Sequence, residues 1–249
     1  MQLGLTVGDD IDRIDRYGRE FDFVEVGIGE GQHVLESSPE ALETARSEAG
    51  CELTVHLPFK QDLVTPVAEI NDAIVEFLSR LLEVAGRAGA TAAVLHLTAR
   101  NPSDTTLRSL AVNQLEQVAG AGDGHGVEVV AENVGHQARG FPISVVTDLC
   151  EQASVPVCVD LGHAFMEDGM DGVERILDSA RGRIRYVHVH DVRSRGDTHL
   201  PLGAGQIDFE AVANRGAELD GHVAIEVFAD DEHLLTDSAK RTRRHFGIS

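Results

Sequence analysis

Short, almost continuous apolar runs recur along the chain, and segments with helical periodicity separate them. The runs are LGLTV (3–7), FVEVGI (23–28), ELTVHL (52–57), AAVLHL (92–97), VEVVAENV (127–134), VPVCVDLG (155–162), IRYVHVHD (184–191) and HVAIEVF (222–228). Continuous apolar runs of this length are typical of parallel strands that are covered on both faces. The pattern therefore predicts eight parallel strands.

Apolar residues between these runs recur every three or four positions, as in helices that pack one face against a sheet. The spacing predicts helices over 69–89, 107–120, 143–153 and 173–182, and a closing helix from about residue 230. Eight strands alternating with helices in 249 residues match an α/β fold, the (β/α)8 TIM barrel, which needs about 250 residues. A doubly wound open sheet is the competing fold, but the turn VGDDID (7–12) lacks its GxGxxG sequence. No linker or repeat divides the chain, so we expect one domain over residues 1–249.

The charge balance is strongly acidic, with 42 acidic and 21 basic residues and a net charge of −21. Lys60 and Lys240 are the two lysines, and an acidic, lysine-poor surface is typical of a halophilic protein. Repulsion of nucleic acid is the other interpretation of this charge, but high salt would screen it, so DNA is not excluded. Three widely spaced cysteines fit a reducing compartment. Because no apolar run reaches the length of a membrane span, we expect a soluble cytoplasmic protein without a membrane partner.

Polar residues follow at the carboxyl ends of the predicted strands, where the active site of a barrel forms. They are Glu25, His56, His96, Glu132, Asp160, His163, His188 and Glu226, and Asp197 and His199 return to them from the loop after the seventh strand. A charged group in an apolar strand costs free energy unless it is paired or coordinated, so their joint placement predicts a metal site. Imidazole and carboxylate ligands without thiolate favour zinc or manganese, and the number of ligands suffices for one to three ions.

Several motifs resemble those of the xylose isomerase-like TIM-barrel superfamily, which includes sugar phosphate isomerases and epimerases and endonuclease IV, of AP endonuclease family 2. The motifs are VHLPF (55–59), ENVGH (132–136), VDLGHAF (159–165), HVHD (188–191), DTHLPLGAGQIDF (197–209) and AIEVF (224–228). Similarity to endonuclease IV implies three zinc sites. The first uses His56, His96 and Glu132, the second Glu132, Asp160, His188 and Glu226, and the third His163, Asp197 and His199. Similarity to the epimerases implies a single divalent ion on the second set, with Glu132 and Glu226 on opposite sides of the substrate carbon.

Two chemistries fit this set of residues. The first is isomerisation or epimerisation of a sugar or sugar phosphate, in which Glu132 and Glu226 move the proton and a metal ion stabilises the enediolate. The second is zinc-dependent hydrolysis of a phosphodiester in abasic DNA, which needs a DNA-binding rim. Apart from the basic end of the closing helix, KRTRRH (240–245), the sequence has no basic cluster. It also has no tryptophan and 4% aromatic residues, and it reads HLTAR (96–100) where endonuclease IV has His-Pro-Gly, so we favour the first. A barrel that binds metal without catalysis is a third hypothesis, and the oligomeric state is left open.

Further residues carry weaker predictions. Arg100, Arg139, Arg193 and Arg195 follow strand ends and either grip a phosphate or carboxylate of the substrate or pair with the acidic surface. Glu25 either contacts substrate or pairs with an arginine inside the barrel. His190 and Asp191 either orient metal ligands or face the loop. We expect His33, His125, His222, His233 and His245 to be ordinary surface residues.

Overall fold

Eight parallel strands close into a barrel in the computed structural model, which describes residues 1–31, 33–135, 139–193, 196–215, 220–229 and 231–248. The strands are β1 (Gln2–Gly8), β2 (Phe23–Gly27), β3 (Glu52–His56), β4 (Ala90–His96), β5 (Glu128–Glu132), β6 (Val157–Asp160), β7 (Ile184–Val189) and β8 (His222–Ile225). Each strand pairs in parallel with the next, and β8 pairs with β1. The predicted (β/α)8 TIM barrel is confirmed.

Helices connect the strands on the outside of the barrel. They are α1 (Asp12–Tyr17), α2 (Val34–Ser37), α3 (Pro39–Ala49), α4 (Ala68–Arg87), α5 (Arg108–Asp123), α6 (Ile143–Ala153), α7 (Leu161–Ser179), α8 (Phe209–Arg215) and α9 (Glu232–Phe246), with 3-10 turns at Gly18–Glu20 and Thr105–Leu107. The helix predicted over 173–182 is the second half of α7, whose backbone is non-helical at Asp168 and Gly169. Within the described ranges, no helix combines the length and the apolar character that crossing a bilayer requires.

A small layer of side chains fills the inside of the barrel, separate from the larger core between strands and helices. This inner packing layer consists of Phe23, Ala92, Val94, Val130, Cys158, Tyr186 and Ala224. The ring of Phe23 lies directly over Gly4, where an added Cβ would come within 2.2 Å of it. Phe23 also contacts Tyr186 edge to face, with ring centroids 5.8 Å apart. The glycine in β1 is therefore what leaves room for an aromatic ring on the barrel axis.

The inner packing layer determines where the polar side chains point. Because side chains alternate along a strand, a residue two positions later faces the same interior, one step nearer the carboxyl end. Six members of the layer are followed in this way by a predicted site residue: Phe23 by Glu25, Val94 by His96, Val130 by Glu132, Cys158 by Asp160, Tyr186 by His188 and Ala224 by Glu226. The strands thus deliver their ionisable groups to one end of the barrel, directly above an apolar floor.

Of the histidines expected at the surface, His125 and His233 are exposed and His245 is half-buried, whereas His33 and His222 lie against other side chains. His33 is 4% exposed at the start of α2, and its Nε2 lies 3.2 Å from a carboxylate oxygen of Glu36. The ring of His222 stacks on Tyr186 at 5.3 Å under the inner packing layer, so it is half-buried. The expectation was wrong for both because polar neighbours in the sequence do not reveal which rings a closed barrel covers.

Candidate functional site

Glu132, at the end of β5, lies at the centre of four histidines. Its Oε2 is 3.3 Å from Nε2 of His56 and 3.1 Å from Nε2 of His96. Its Oε1 is 3.2 Å from Nδ1 of His163 and 3.5 Å from Nδ1 of His188. The side chain is 1% exposed, so both carboxylate oxygens are committed to imidazoles contributed by four other segments.

Nδ1 of His188 faces three carboxylates and has no hydrogen-bond partner, although it is buried. It lies 3.5 Å from Oε1 of Glu132, 3.8 Å from Oδ2 of Asp160 and 3.5 Å from Oε2 of Glu226. Ligand atoms about 2.1 Å from a tetrahedrally coordinated zinc ion are about 3.4 Å from one another. One nitrogen and three oxygens at these separations therefore fit a divalent cation, and they belong to the four residues expected to hold a single ion.

The other predicted ligands join this group on both sides. Nε2 of His163 lies 3.2 Å from Oδ2 of Asp197, and the two nitrogens of His199 lie 3.5 Å from Asp197 and 3.3 Å from Oε1 of Glu226. Four sets of three residues could each hold a metal ion, because the ligand atoms within each set lie within 4.8 Å of one another. The sets are His56, Glu132 and His188; Glu132, Asp160 and His163; Asp160, His188 and Glu226; and His190, Asp197 and His199. The structure thus brings together all nine residues predicted as metal ligands, and it adds His190.

His190 contacts a predicted metal ligand, and Asp191 contacts the loop that carries two others. Nε2 of His190 lies 3.1 Å from Oδ2 and 3.2 Å from Oδ1 of Asp160, and both residues are fully buried. The ring of His190 packs over Gly162, where a Cβ would come within 2.1 Å of it. Oδ1 of Asp160 also accepts a 2.6 Å hydrogen bond from the backbone N–H of His163. His190 therefore orients Asp160, as one of the two interpretations proposed.

Asp191 is a buried carboxylate that holds the loop carrying Asp197 and His199. Its oxygens accept hydrogen bonds from four backbone N–H groups, at distances of 2.8–3.1 Å, in residues 192, 203, 205 and 207. Its own backbone pairs with Leu200 in an isolated antiparallel bridge. One side chain thus ties both ends of the loop, a role that the sequence pattern did not reveal.

Glu25 contacts neither an arginine nor the open cavity. It is fully buried, its Oε1 accepts a 3.0 Å hydrogen bond from Thr6 Oγ1, and its Oε2 lies 3.0 Å from Nε2 of His188. Burial alone would raise the pKa of Glu25, but His188 lowers that pKa below its usual value. An ionised carboxylate only accepts hydrogen bonds, so Nε2 of His188 carries a proton, and it is Nδ1 that would give up its proton and offer a lone pair to a bound cation.

The ionisable groups of the site shift one another's pKa values. Burial alone would raise the pKa of Glu132, but His96 and His188 hold it well below its usual range. Burial alone would lower the pKa of His188, but Glu25 and Glu226 are among the charges that raise it well above that of a free histidine. The cluster therefore needs positive charge among its carboxylates, which either protons on imidazole or bound cations can provide.

The site opens into a cavity of about 310 Å³. Its walls include seven of the nine predicted ligand residues, all except the more deeply buried Asp160 and His188, together with Thr6, Gly8, Gly27, Phe59, Val134 and Phe228. Phe59 and Phe228 are 55% and 52% exposed, Phe59 packs on His96 at 5.1 Å, and Phe228 packs on His199 at 5.2 Å. Sequence reasoning missed both rings, although each ends a quoted motif, VHLPF and AIEVF.

Arg13 supports the Phe228 side of the cavity. Its guanidinium donates to the carbonyl oxygens of Thr6 and Val227 at 3.2 and 3.0 Å and lies 5.5 Å from the centre of the Phe228 ring. Arg13 is buried, so it fixes the ends of β1 and β8 beside the cavity. Because it follows β1 in an acidic segment, its role could not be recognised from the sequence.

The arginines predicted to bind substrate have partners within the protein. Asp62 lies 3.0 Å from Arg139 and 3.7 Å from Arg100, and Arg193 donates to the carbonyl oxygen of Ala204. Arg195 lies outside the described residues. Arg100 and Arg139 thus lie beside a carboxylate, as in the second interpretation, whereas Arg193 lies on a backbone oxygen. None of the three lines the cavity, and their contact with substrate stays a prediction.

Comparison with known proteins agrees with this architecture. An uncharacterized protein of Methanocaldococcus jannaschii is 25% identical over 233 residues, covering 89% of this chain and 88% of that protein. The crystal structure of a D-tagatose 3-epimerase-like protein superposes with a TM-score of 0.81 at 20% identity, covering 100% of this chain and 98% of the other. A Thermus thermophilus protein soaked with ZnCl2 superposes with a TM-score of 0.75 at 23% identity, covering 100% of this chain and 99% of the other.

The family model of xylose isomerase-like TIM barrels matches residues 11–245. The match covers every ligand residue described above and confirms the resemblance seen in the motifs. The chain belongs to the xylose isomerase-like TIM-barrel family.

Proposed function

We propose that the protein is a divalent-metal-dependent isomerase or epimerase of a sugar or sugar phosphate. The observation that carries the proposal is the pair of glutamates on either side of His188, at the base of a cavity with the volume of a small-molecule site. Pockets for small ligands are about 300–1,000 Å³, and this one lies at the lower end of that range. The D-tagatose 3-epimerase-like structure supports a sugar as the substrate.

Glu132, Asp160, His188 and Glu226 are the residues that would hold one ion, zinc or manganese. When bound, a divalent cation supplies charge stabilisation as negative charge develops on the substrate oxygens. One of Glu132 and Glu226, ionised, removes the proton from the carbon beside the carbonyl. The other, protonated, returns a proton to the same carbon on the opposite face, which inverts it, or to the neighbouring carbon, which moves the carbonyl group.

The surrounding residues orient the substrate and restrict water. The rings of His56, His96, His163 and His199 line the cavity and are candidates for binding substrate hydroxyls when they do not hold metal. Phe59 and Phe228 cover the opening with apolar surface. A low-dielectric wall strengthens the charge interactions that stabilise the reacting group.

The test is solvent exchange in D2O. Zinc- or manganese-loaded protein is incubated with a panel of ketoses and their phosphates, and deuterium uptake beside the carbonyl is measured by NMR or mass spectrometry. Glu226→Gln keeps the size of the side chain but cannot exchange a proton, so uptake should be lost. Glu210→Gln, on the first turn of α8, is the matched control. Absence of uptake across the whole panel would overturn the proposal.

A zinc phosphodiesterase acting on abasic DNA is the second candidate. The possible ligand groups, which contain eight of the nine predicted residues, with His96 beside Glu132, favour it, because a single ion leaves His56, His96, His163, Asp197 and His199 without a metal. The pairing of Arg100 and Arg139 with Asp62 weakens it, because DNA needs unpaired cations at the rim. Nicking of an abasic duplex that is lost in Glu226→Gln, together with no exchange in D2O, would establish this activity instead.

A further inference from the structure

A second cleft lies beside the main cavity at the same end of the barrel. It has a volume of about 310 Å³ and is lined by Asp9, the loop 27–30 and the loop 58–60. Gly27 and Phe59 line both spaces, so the two adjoin each other. We call this space the side cleft. The ring of Phe59 stands at the boundary, packed against His56 and His96 on one side and more than half exposed.

The chemistry of the side cleft fits a neutral carbohydrate better than an anion. Asp9 and Glu30 contribute two exposed carboxylates, and Lys60 contributes one ammonium group. The local charge is therefore negative, which disfavours a phosphate or carboxylate on the ligand. Carboxylates accept hydrogen bonds from hydroxyl groups, and the exposed face of Phe59 offers an apolar surface for the C–H side of a sugar ring.

We infer that the side cleft binds a second sugar unit, so that the substrate is a glycosylated ketose rather than a free monosaccharide or a sugar phosphate. The inference rests on the proposed function, because the reacting unit occupies the main cavity next to Glu132 and Glu226. The second unit lies across Phe59 and against the loop 27–30. The main cavity accommodates the reacting sugar, and the side cleft adds a similar volume for the unit attached to it.

Gly29 provides a way to close the side cleft without damaging the main cavity. A Cβ at Gly29 would meet no atom within 4 Å, and its φ is not in the left-handed region, so a side chain fits there. Gly31 has the same two properties but does not line the cleft. Gly29→Leu therefore fills the cleft, and Gly31→Leu is the matched control on the same loop.

The experiment uses Phe59→Trp as a reporter, because the chain contains no tryptophan and the new indole can be excited at wavelengths where the chain's two tyrosines do not absorb. Metal-loaded protein is titrated with D-tagatose and with isomaltulose and lactulose, two disaccharides whose reducing unit is a ketose. At least one disaccharide should bind about tenfold more tightly than D-tagatose, a difference of about 1.4 kcal/mol. Calorimetry on the chain with Phe59 intact checks that the reporter does not create the preference.

Gly29→Leu should reduce disaccharide affinity to that of D-tagatose and leave D-tagatose affinity unchanged, whereas Gly31→Leu should change neither. Equal affinity for all three sugars, no binding of any, or an equal loss for all in Gly29→Leu would overturn the inference. Deuterium uptake into D-tagatose is measured separately. Deuterium uptake without a preference for a disaccharide would support the proposed function and refute binding of a second sugar unit in the side cleft. A preference for a disaccharide without uptake into any sugar would support binding in the side cleft and refute the proposed function.

Discussion

Substitution of Glu25 by glutamine should weaken metal binding without unfolding the barrel. The carboxylate is fully buried, and its contact with Nε2 of His188 directs Nδ1 towards Glu132, Asp160 and Glu226. A glutamine that turns its NH2 group towards His188 would donate to Nε2 and force the proton onto Nδ1, where a cation is expected. A glutamine that turns its oxygen towards His188 keeps the tautomer but loses the negative charge.

The magnitude follows from both cases. Loss of a carboxylate that orients a metal-bound histidine costs about 10–100-fold in metal affinity, or about 1.4–2.7 kcal/mol. The upper end applies to the reversed tautomer and the lower end to the neutral hydrogen bond. Without metal, Glu25→Gln removes the carboxylate that stabilises the buried charge of His188, so the metal-free protein should unfold at a lower denaturant concentration than the parent but keep a cooperative transition.

Competition with a chromogenic chelator measures zinc or manganese affinity, and urea unfolding measures the stability of the metal-free chain. Glu128→Gln is the control, because Glu128 is an exposed glutamate on β5, four residues before Glu132. Unchanged metal affinity in Glu25→Gln would refute the assigned role of Glu25. Loss of the cooperative urea transition in the metal-free variant would show general damage to the fold instead.

Four further predictions concern stability. Gly4→Ala should lower the free energy of unfolding by about 1–3 kcal/mol, measured in urea, because its Cβ overlaps the ring of Phe23. Asp191→Asn should cost about 3 kcal/mol or more, because an amide nitrogen would replace an oxygen that accepts two buried N–H groups. Burial lowers the pKa of His222 below its ordinary 6.5, so the unfolded chain takes up this proton more readily, and stability should fall relative to His222→Phe as the pH drops below that value. Molar potassium chloride should raise the melting temperature, because it screens the repulsion within a chain of net charge −21.

Each of these has an outcome that would contradict it. Unchanged stability in Gly4→Ala would mean that Phe23 can leave the barrel axis. If the overlap is real, adding Phe23→Leu to Gly4→Ala should recover the free energy of unfolding that Gly4→Ala loses. For Asp191, a melting temperature equal to that of Asp178→Asn, an exposed change on α7, would show that the loop does not depend on its carboxylate. A pH-independent difference between the parent and His222→Phe, or a melting temperature insensitive to salt, would refute the remaining two.

The barrel and most of the site could be predicted because both follow from alternation within single strands. Apolar runs such as VEVVAENV locate a strand, and the same two-residue period that buries Val130 points Glu132 into the interior. The motifs then supplied Asp197 and His199, which lie outside any strand. The sequence around each of these residues was sufficient to predict it, because where the residue points depends on its own strand or motif.

The parts that could not be predicted depend on closure of the barrel. Glu25 and His188 are 163 positions apart and meet across the interior, so neither neighbourhood indicates the other. Asp191 acts through backbone groups as far away as residue 207, and backbone groups carry no sequence signal. Arg139 pairs with Asp62 rather than facing the cavity, a choice set by how two loops converge.

The two-residue offset between the inner packing layer and the polar groups makes the strands intolerant of changes in length. Deleting one residue upstream within β5 would place Asn133 where Glu132 stands, and an insertion would place Ala131 there, while the partner strands kept their alignment. The turns at the opposite end, such as the exposed residues 124–126 before β5, carry none of this constraint. Tags, fused domains or new chain termini therefore belong at those turns, where they leave the end of the barrel that carries the candidate site untouched.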